Sequence, residues 1–203
     1  MMIILEEGSG AKKLRFEFSS QWKKAFKYDG CQFYTELIVK CQHIQAVDFI
    51  ATKEDSLLWI EVKNFRGFAA ENRPRLLSEE PQTVIDCRNT CNSVKQEVKI
   101  SRQKPYLADV VAKKVRDTFF GLAVALYKGE PTLKPYIDDL GRNIQINIVL
   151  FLHQDEELDN PQKFKDLAPK LKTRIEQQLR CLNVNVQVEN SLTLPESAGW
   201  KVL

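Results

Sequence analysis

Residues 45 to 63, QAVDFIATKEDSLLWIEVK, constrain the fold more than any other part of this chain. Two apolar runs flank the polar stretch Lys53-Glu54-Asp55-Ser56, which is the pattern of a β-hairpin. With the turn centred on Glu54-Asp55, opposed residue numbers sum to 109, so Asp48 lies across from Glu61 and Ile50 across from Trp59. Side chains on a strand alternate between faces. One face then carries Val47, Phe49, Ala51, Leu58, Ile60 and Val62, all apolar, and reads as core. The other carries Asp48, Ile50, Leu57, Trp59, Glu61 and Lys63. A slip of one residue would drive the charges into the core, so the pattern specifies the register.

The remaining elements are read around this hairpin. Leu14 to Phe18 alternates like a short strand, and Ser19-Ser20 is expected to cap a short helix holding Trp22 and Phe26. Phe33 to Val39 is read as a strand after the Asp29-Gly30 turn. Residues 67 to 106 hold Pro74, Pro81 and Pro105 without a strong period, and read as an irregular insertion with a short helix around 82 to 96. A helix is predicted from about Ala108 to Tyr127, with an apolar stripe at Val111, Val115, Phe119, Leu122 and Leu126. Ile144 to Leu152 reads as a central strand. Asn160-Pro161 starts a helix through Phe164, Leu171, Ile175 and Leu179, with Pro169 expected to break or restart it. Val184, Val186 and Val188 mark a last strand. This order predicts one α/β domain over residues 1–203, a mixed central sheet flanked by helices.

The charged face of the hairpin carries the chemistry. Two directly opposed carboxylates, about 4.5–5.5 Å apart at Cβ, repel each other unless a cation sits between them. Mg²⁺ takes oxygen ligands, typically one or two carboxylates with water and phosphate oxygens. Bound there, it polarises a phosphoryl oxygen and activates water. An adjacent ammonium orients that water or stabilises the developing charge. Asp48, Glu61 and Lys63 on one face therefore suit metal-assisted phosphodiester hydrolysis. A solvated Glu61–Lys63 salt bridge is the plainer alternative, but Ile50, Leu57 and Trp59 share the face and are too apolar for open surface.

Asp48, a gap of 12 residues and then Glu61-Val62-Lys63 resembles the PD-(D/E)XK motif of the restriction-endonuclease-like nuclease superfamily, with Val47 in place of the motif's proline. The resemblance covers about residues 15 to 152. It implies a restriction-endonuclease-like core and Mg²⁺ or Mn²⁺ as cofactor, held by Asp48, Glu61 and the backbone carbonyl of Val62, with Lys63 assisting the attacking water. Superfamily members often add an upstream acid; Asp29 is the first candidate, ahead of Glu17 and Glu36. Asn64, Arg66, Lys114 and Arg116 are candidate phosphate contacts. The implied partner is nucleic acid, with DNA expected, and a homodimer is compatible with this reading. The alternative is a catalytically inactive nucleic-acid-binding or protein-interaction module on the same fold.

Other classes find less support. The net charge of +3 is too small to prove a polyanion partner, although Lys95, Lys99, Arg102, Lys104, Lys113, Lys114 and Arg116 fall in one 22-residue window. No window is apolar enough for a membrane span, and Met-Met-Ile-Ile-Leu runs into Glu6-Glu7 too soon for a signal sequence, so a cytoplasmic protein is expected. The five cysteines lack paired zinc spacing, and His43 and His153 are read as structural or surface residues. No glycine-rich phosphate loop or nucleophile elbow is present.

Overall fold

The computed structural model describes residues 2–77, 82–90, 104–142, 144–154 and 161–203. It is a mixed α/β structure with two sheets. The smaller is antiparallel, in the order β1 (Ile3–Glu7), β2 (Leu14–Phe18), β8 (Trp200–Val202). The larger has five strands in the order β3 (Lys24–Lys27), β4 (Phe49–Lys53), β5 (Ser56–Asn64), β6 (Ile146–His153), β7 (Val184–Glu189). β3, β4 and β5 are antiparallel neighbours, whereas β5, β6 and β7 run parallel. The helices are α1 (Ala69–Leu76), α2 (Gln82–Thr90), α3 (Leu107–Lys128), α4 (Lys134–Gly141) and α5 (Pro161–Gln178). None of the described helices is long and apolar enough to cross a membrane.

The hairpin register is the predicted one: Phe49 pairs with Ile60, Ile50 with Trp59 and Ala51 with Leu58. Both faces of the large sheet are buried. On one, Phe49, Ala51, Leu58, Ile60, Val62, Val149 and Phe151 pack against the small sheet. Phe16 sits at the centre of that layer, 5.0 Å from Phe49 and 5.7 Å from Phe151 between ring centroids. On the other, Ile50, Leu57, Trp59, Ile148, Leu150 and Leu152 pack against Val111, Ala112, Val115 and Leu122 of α3 and Leu171 and Ile175 of α5. Val47, expected with Phe49, belongs to the helix-side core instead. Its strand pairing has already ended, and its N–H is satisfied by Thr118 Oγ1 of α3 at 3.0 Å.

Several expectations are corrected. The segment around Trp22 and Phe26 is not a helix: residues 24–27 form edge strand β3 on β4, and Trp22 turns into the inter-sheet core. Residues 33–39 are not a strand: a single π-helical turn, Tyr34–Ile38, buries Tyr34 and Ile38, four apart, and exposes Leu37 and Val39. The strand expected over 45–51 begins at Phe49. In α3 the buried stripe passes through Ala112, Thr118, Gly121 and Ala125, small residues that admit close packing, while Phe119 and Leu126 are exposed. α5 continues through Pro169 without a break, since its buried stripe of Phe164, Leu171 and Ile175 anchors it on both sides of the proline. β1, β8 and α4 had no counterpart in the sequence reading. Lys95, Lys99, Arg102 and Cys91 lie outside the described residues.

Candidate active site

Asp48 stands just before β4, at the point where the hairpin ladder gives way to irregular backbone. Its N–H still donates to the Ile60 carbonyl at 3.1 Å. Its side chain turns back onto β5, where Oδ2 accepts the Val62 N–H at 2.6 Å. A carboxylate thus replaces a backbone acceptor at the end of the ladder, which fixes Asp48 beside Glu61. Glu61 is fully buried in β5, facing α3. Lys63, two residues on, shares its face and pairs with Glu61 Oε1. Asp48, Glu61 and Lys63 therefore converge, as the register requires.

Lys114 of α3 enters the same group. Its Nζ lies 2.7 Å from Glu61 Oε1, 2.9 Å from Oε2 and 3.6 Å from Asp48 Oδ1. Taken from water, each of these charges would carry a large desolvation penalty, which close pairing offsets. Burial alone would lower the Lys114 pKa, but the Glu61 and Asp48 carboxylates outweigh it and hold the ammonium above its ordinary value. Asp48 moves the other way. Burial first, and then the Glu61 charge, raise it to about 7 against the pull of Lys114, Lys63 and the Val62 N–H.

A second set of acids meets at Asp48. Carboxylate oxygens of Glu7, Asp29 and Asp48 all lie within 4.8 Å of one another, a grouping able to hold a metal ion. Asp29, the first candidate for an upstream acid, follows the Tyr28 turn, where the Tyr28 N–H donates to the Asp48 carbonyl at 2.9 Å. Its Oδ1 is buried and accepts no hydrogen bond. Burial, and next the Glu7 charge, push Asp29 up to about 6. Glu7 closes β1 of the small sheet, and its Oε2 pairs with Lys27 Nζ at 2.7 Å. Crowded carboxylates, two of them (Asp29 and Asp48) raised by burial and by a neighbouring charge, are what a divalent cation relieves.

The other sequence candidates fall outside this group. Glu17 pairs with Lys201 on the small sheet, and Glu36 is exposed and accepts from Gln32. Asn64 donates to the Lys12 carbonyl at 3.0 Å and accepts the Arg66 N–H, so it shapes the loop after β5. Arg66 is exposed on that loop. Arg116 reaches the Gln178 carbonyl at the end of α5. Among the described residues, Cys31, Cys41, Cys87 and Cys181 are free.

Glu7, Lys27 and Arg75 were not singled out from sequence. Arg75 of α1 lies 5.7 Å from the Phe65 ring centre and feels the Glu61 charge. The one available signal for Glu7 was its place at the end of an alternating run, Ile3 to Glu7. Comparison with protein-family models, curated proteins and solved structures gives no match.

Proposed function

We propose that this chain is a divalent-metal-dependent nuclease of the PD-(D/E)XK kind, hydrolysing phosphodiester bonds with DNA as the first substrate to test. One observation carries the reading: Asp48 and Glu61 meet across the hairpin with Lys63 beside them, on a face otherwise filled by apolar core. Charges of this density in such a setting mark functional sites.

Asp48 would hold the metal together with Glu61 and the Val62 carbonyl, with Asp29 and Glu7 as further acids close to Asp48. Mg²⁺ or Mn²⁺, when bound, would supply Lewis acidity and an activated water. Asp48 holds its orientation through the Val62 N–H. Glu61 holds Lys63 in the site, so the ammonium is directed at the reacting centre. Arg75 and Lys63 offer positive charge to a phosphodiester backbone.

The second reading, an inactive nucleic-acid-binding or protein-interaction module, is favoured by a single feature: two lysines already neutralise Glu61. Cleavage of single- and double-stranded DNA and RNA with Mg²⁺ or Mn²⁺ separates the two. The proposal expects cleavage that chelation stops and that Asp48→Ala and Lys63→Ala abolish. No cleavage of any substrate, with binding indifferent to metal, would sink it.

A further inference from the structure

Both Glu61 carboxylate oxygens already contact an ammonium group. Lys63 holds Oε1, and Lys114 holds Oε1 and Oε2 while also standing 3.6 Å from Asp48 Oδ1. The Lys114 ammonium thus lies against both carboxylates whose gap a metal shared by Asp48 and Glu61 must enter. Its side chain is 16% exposed and comes from the middle of α3, four residues from Val110 and one from buried Val115. The helix backbone there is locked to the segment before β4 by Thr118 and Asp117, which accept the Val47 and Gln45 N–H groups. The position of Lys114 Cα is therefore built in, whereas its four-carbon stem leaves Nζ free to swing.

We propose that Lys114 is a positioning residue that serves as the internal counter-cation of the Asp48–Glu61 pair, holding the gap when no metal is bound and releasing Glu61 when a divalent ion enters. The inference rests on the metal-dependent reading above. Lys63 and Lys114 already share Glu61 Oε1, so a divalent ion entering at the same oxygens would meet two ammonium charges at close range, and the one that also stands against Asp48 has to give way. Metal entry and the Lys114–Glu61 contact are then mutually exclusive. In the absence of metal the ammonium offsets the repulsion between the buried acids and keeps them in register. Lys63 differs, because it contacts Glu61 from the strand itself, whereas Lys114 comes from α3 and stands against Asp48 as well.

The test is Mn²⁺ binding to the full chain by calorimetry, comparing wild type with Lys114→Met and Lys114→Arg. An ammonium that holds the gap about nine-tenths of the time weakens apparent affinity about tenfold, so Lys114→Met binds about tenfold more tightly. Lys114→Arg keeps the charge but grips Glu61 with a planar fork, and so binds Mn²⁺ more weakly than wild type. A purely electrostatic role predicts no change for the arginine variant. Lys114→Met is less thermostable without metal and gains more on adding Mn²⁺ than wild type does. If Lys114→Met folds only with Mn²⁺, that outcome supports the proposal. Unchanged or weaker binding by Lys114→Met, or unchanged or tighter binding by Lys114→Arg, overturns it. So does a Mn²⁺-bound structure with Lys114 still on Glu61 and the ion between Asp48 and Glu61. Asp48→Asn distinguishes the two failures. If wild type binds Mn²⁺ and Asp48→Asn does not, the metal site stands whatever Lys114 does; if neither wild type nor Lys114→Met binds, both readings fall.

Discussion

The two faces of β5 carry opposite solutions to burial. Leu58, Ile60 and Val62 meet the small sheet through an aromatic layer of Phe16, Phe18, Phe49, Phe151 and Trp200, without a charge among them. Leu57 and Trp59, facing α3, lead directly into Glu61 and Lys63, and the helix answers with Lys114. The first face contributes stability through area removed from water. The second holds charges that replacing with apolar residues would often leave neutral or stabilising. The difference teaches that the small sheet can be read as scaffold and the helix side as the chemistry, with one exception: Glu7 of the small sheet reaches the acid cluster.

The largest expected effect tests the helix side alone. On the proposed nuclease reading, Lys63→Met lowers cleavage by about 10²–10⁴-fold, the range of a lost proton-transfer group, with the far-ultraviolet circular dichroism unchanged. A variant that cleaves at the wild-type rate removes Lys63 from the mechanism. The matching break on the scaffold side is Phe16→Ala, which costs about 3–5 kcal/mol of stability in urea titration. Its cleavage rate at low temperature stays near that of wild type. If the rate falls with Lys63→Met and the stability with Phe16→Ala, the division between the faces holds; if both variants lose activity equally, it does not.

The pH dependence of the metal-free protein sharpens the same comparison. Asp48 rises in the folded state from the ordinary 3.8 to about 7. A raised carboxylate is protonated in both states at low pH, so its favourable contribution is complete below about 4 and is lost as pH climbs through about 7. The difference is on the order of 4 kcal/mol at full ionisation. Urea midpoints without metal should therefore fall between pH 5 and pH 8. Asp48→Asn should flatten that fall, Phe16→Ala should leave it in place, and saturating Mg²⁺ should reduce it at the upper end. A flat wild-type profile removes the strain assigned to Asp48.

The smallest effect probes the close approach of α3. A Cβ at Gly121 would collide with the Tyr28 hydroxyl, so Gly121→Ala is expected to destabilise by about 1–3 kcal/mol, read as a lower melting temperature. Tyr28 precedes Asp29, so the variant should also weaken Mn²⁺ binding modestly. A more stable Gly121→Ala protein would show that α3 can retreat from this contact.

The hairpin was legible because its turn is marked by Lys53-Glu54-Asp55-Ser56 and only one register keeps Asp48, Glu61 and Lys63 out of the aromatic layer. Residues 33–39 misled because Phe33, Leu37 and Val39 suggest a strand, yet the burial that matters is Tyr34 with Ile38 at helical spacing. Trp22 and Phe26 share that ambiguity in reverse: they fit a helical turn, but edge pairing with β4 claims the segment. The small sheet was hidden because its strands are as short as three residues and its members lie at opposite ends of the chain.

The sequence by itself determined the strand register, and with it the convergence of Asp48, Glu61 and Lys63, because period-2 alternation is a local property that the turn and the apolar residues specify together. Only the tertiary structure decided which outside groups join them. Lys114 arrives 53 residues beyond Glu61, across the helix–sheet interface. Glu7 arrives from another sheet, beside Asp29. Such partners are chosen by how layers pack, through long-range burial and charge pairing that no local pattern encodes.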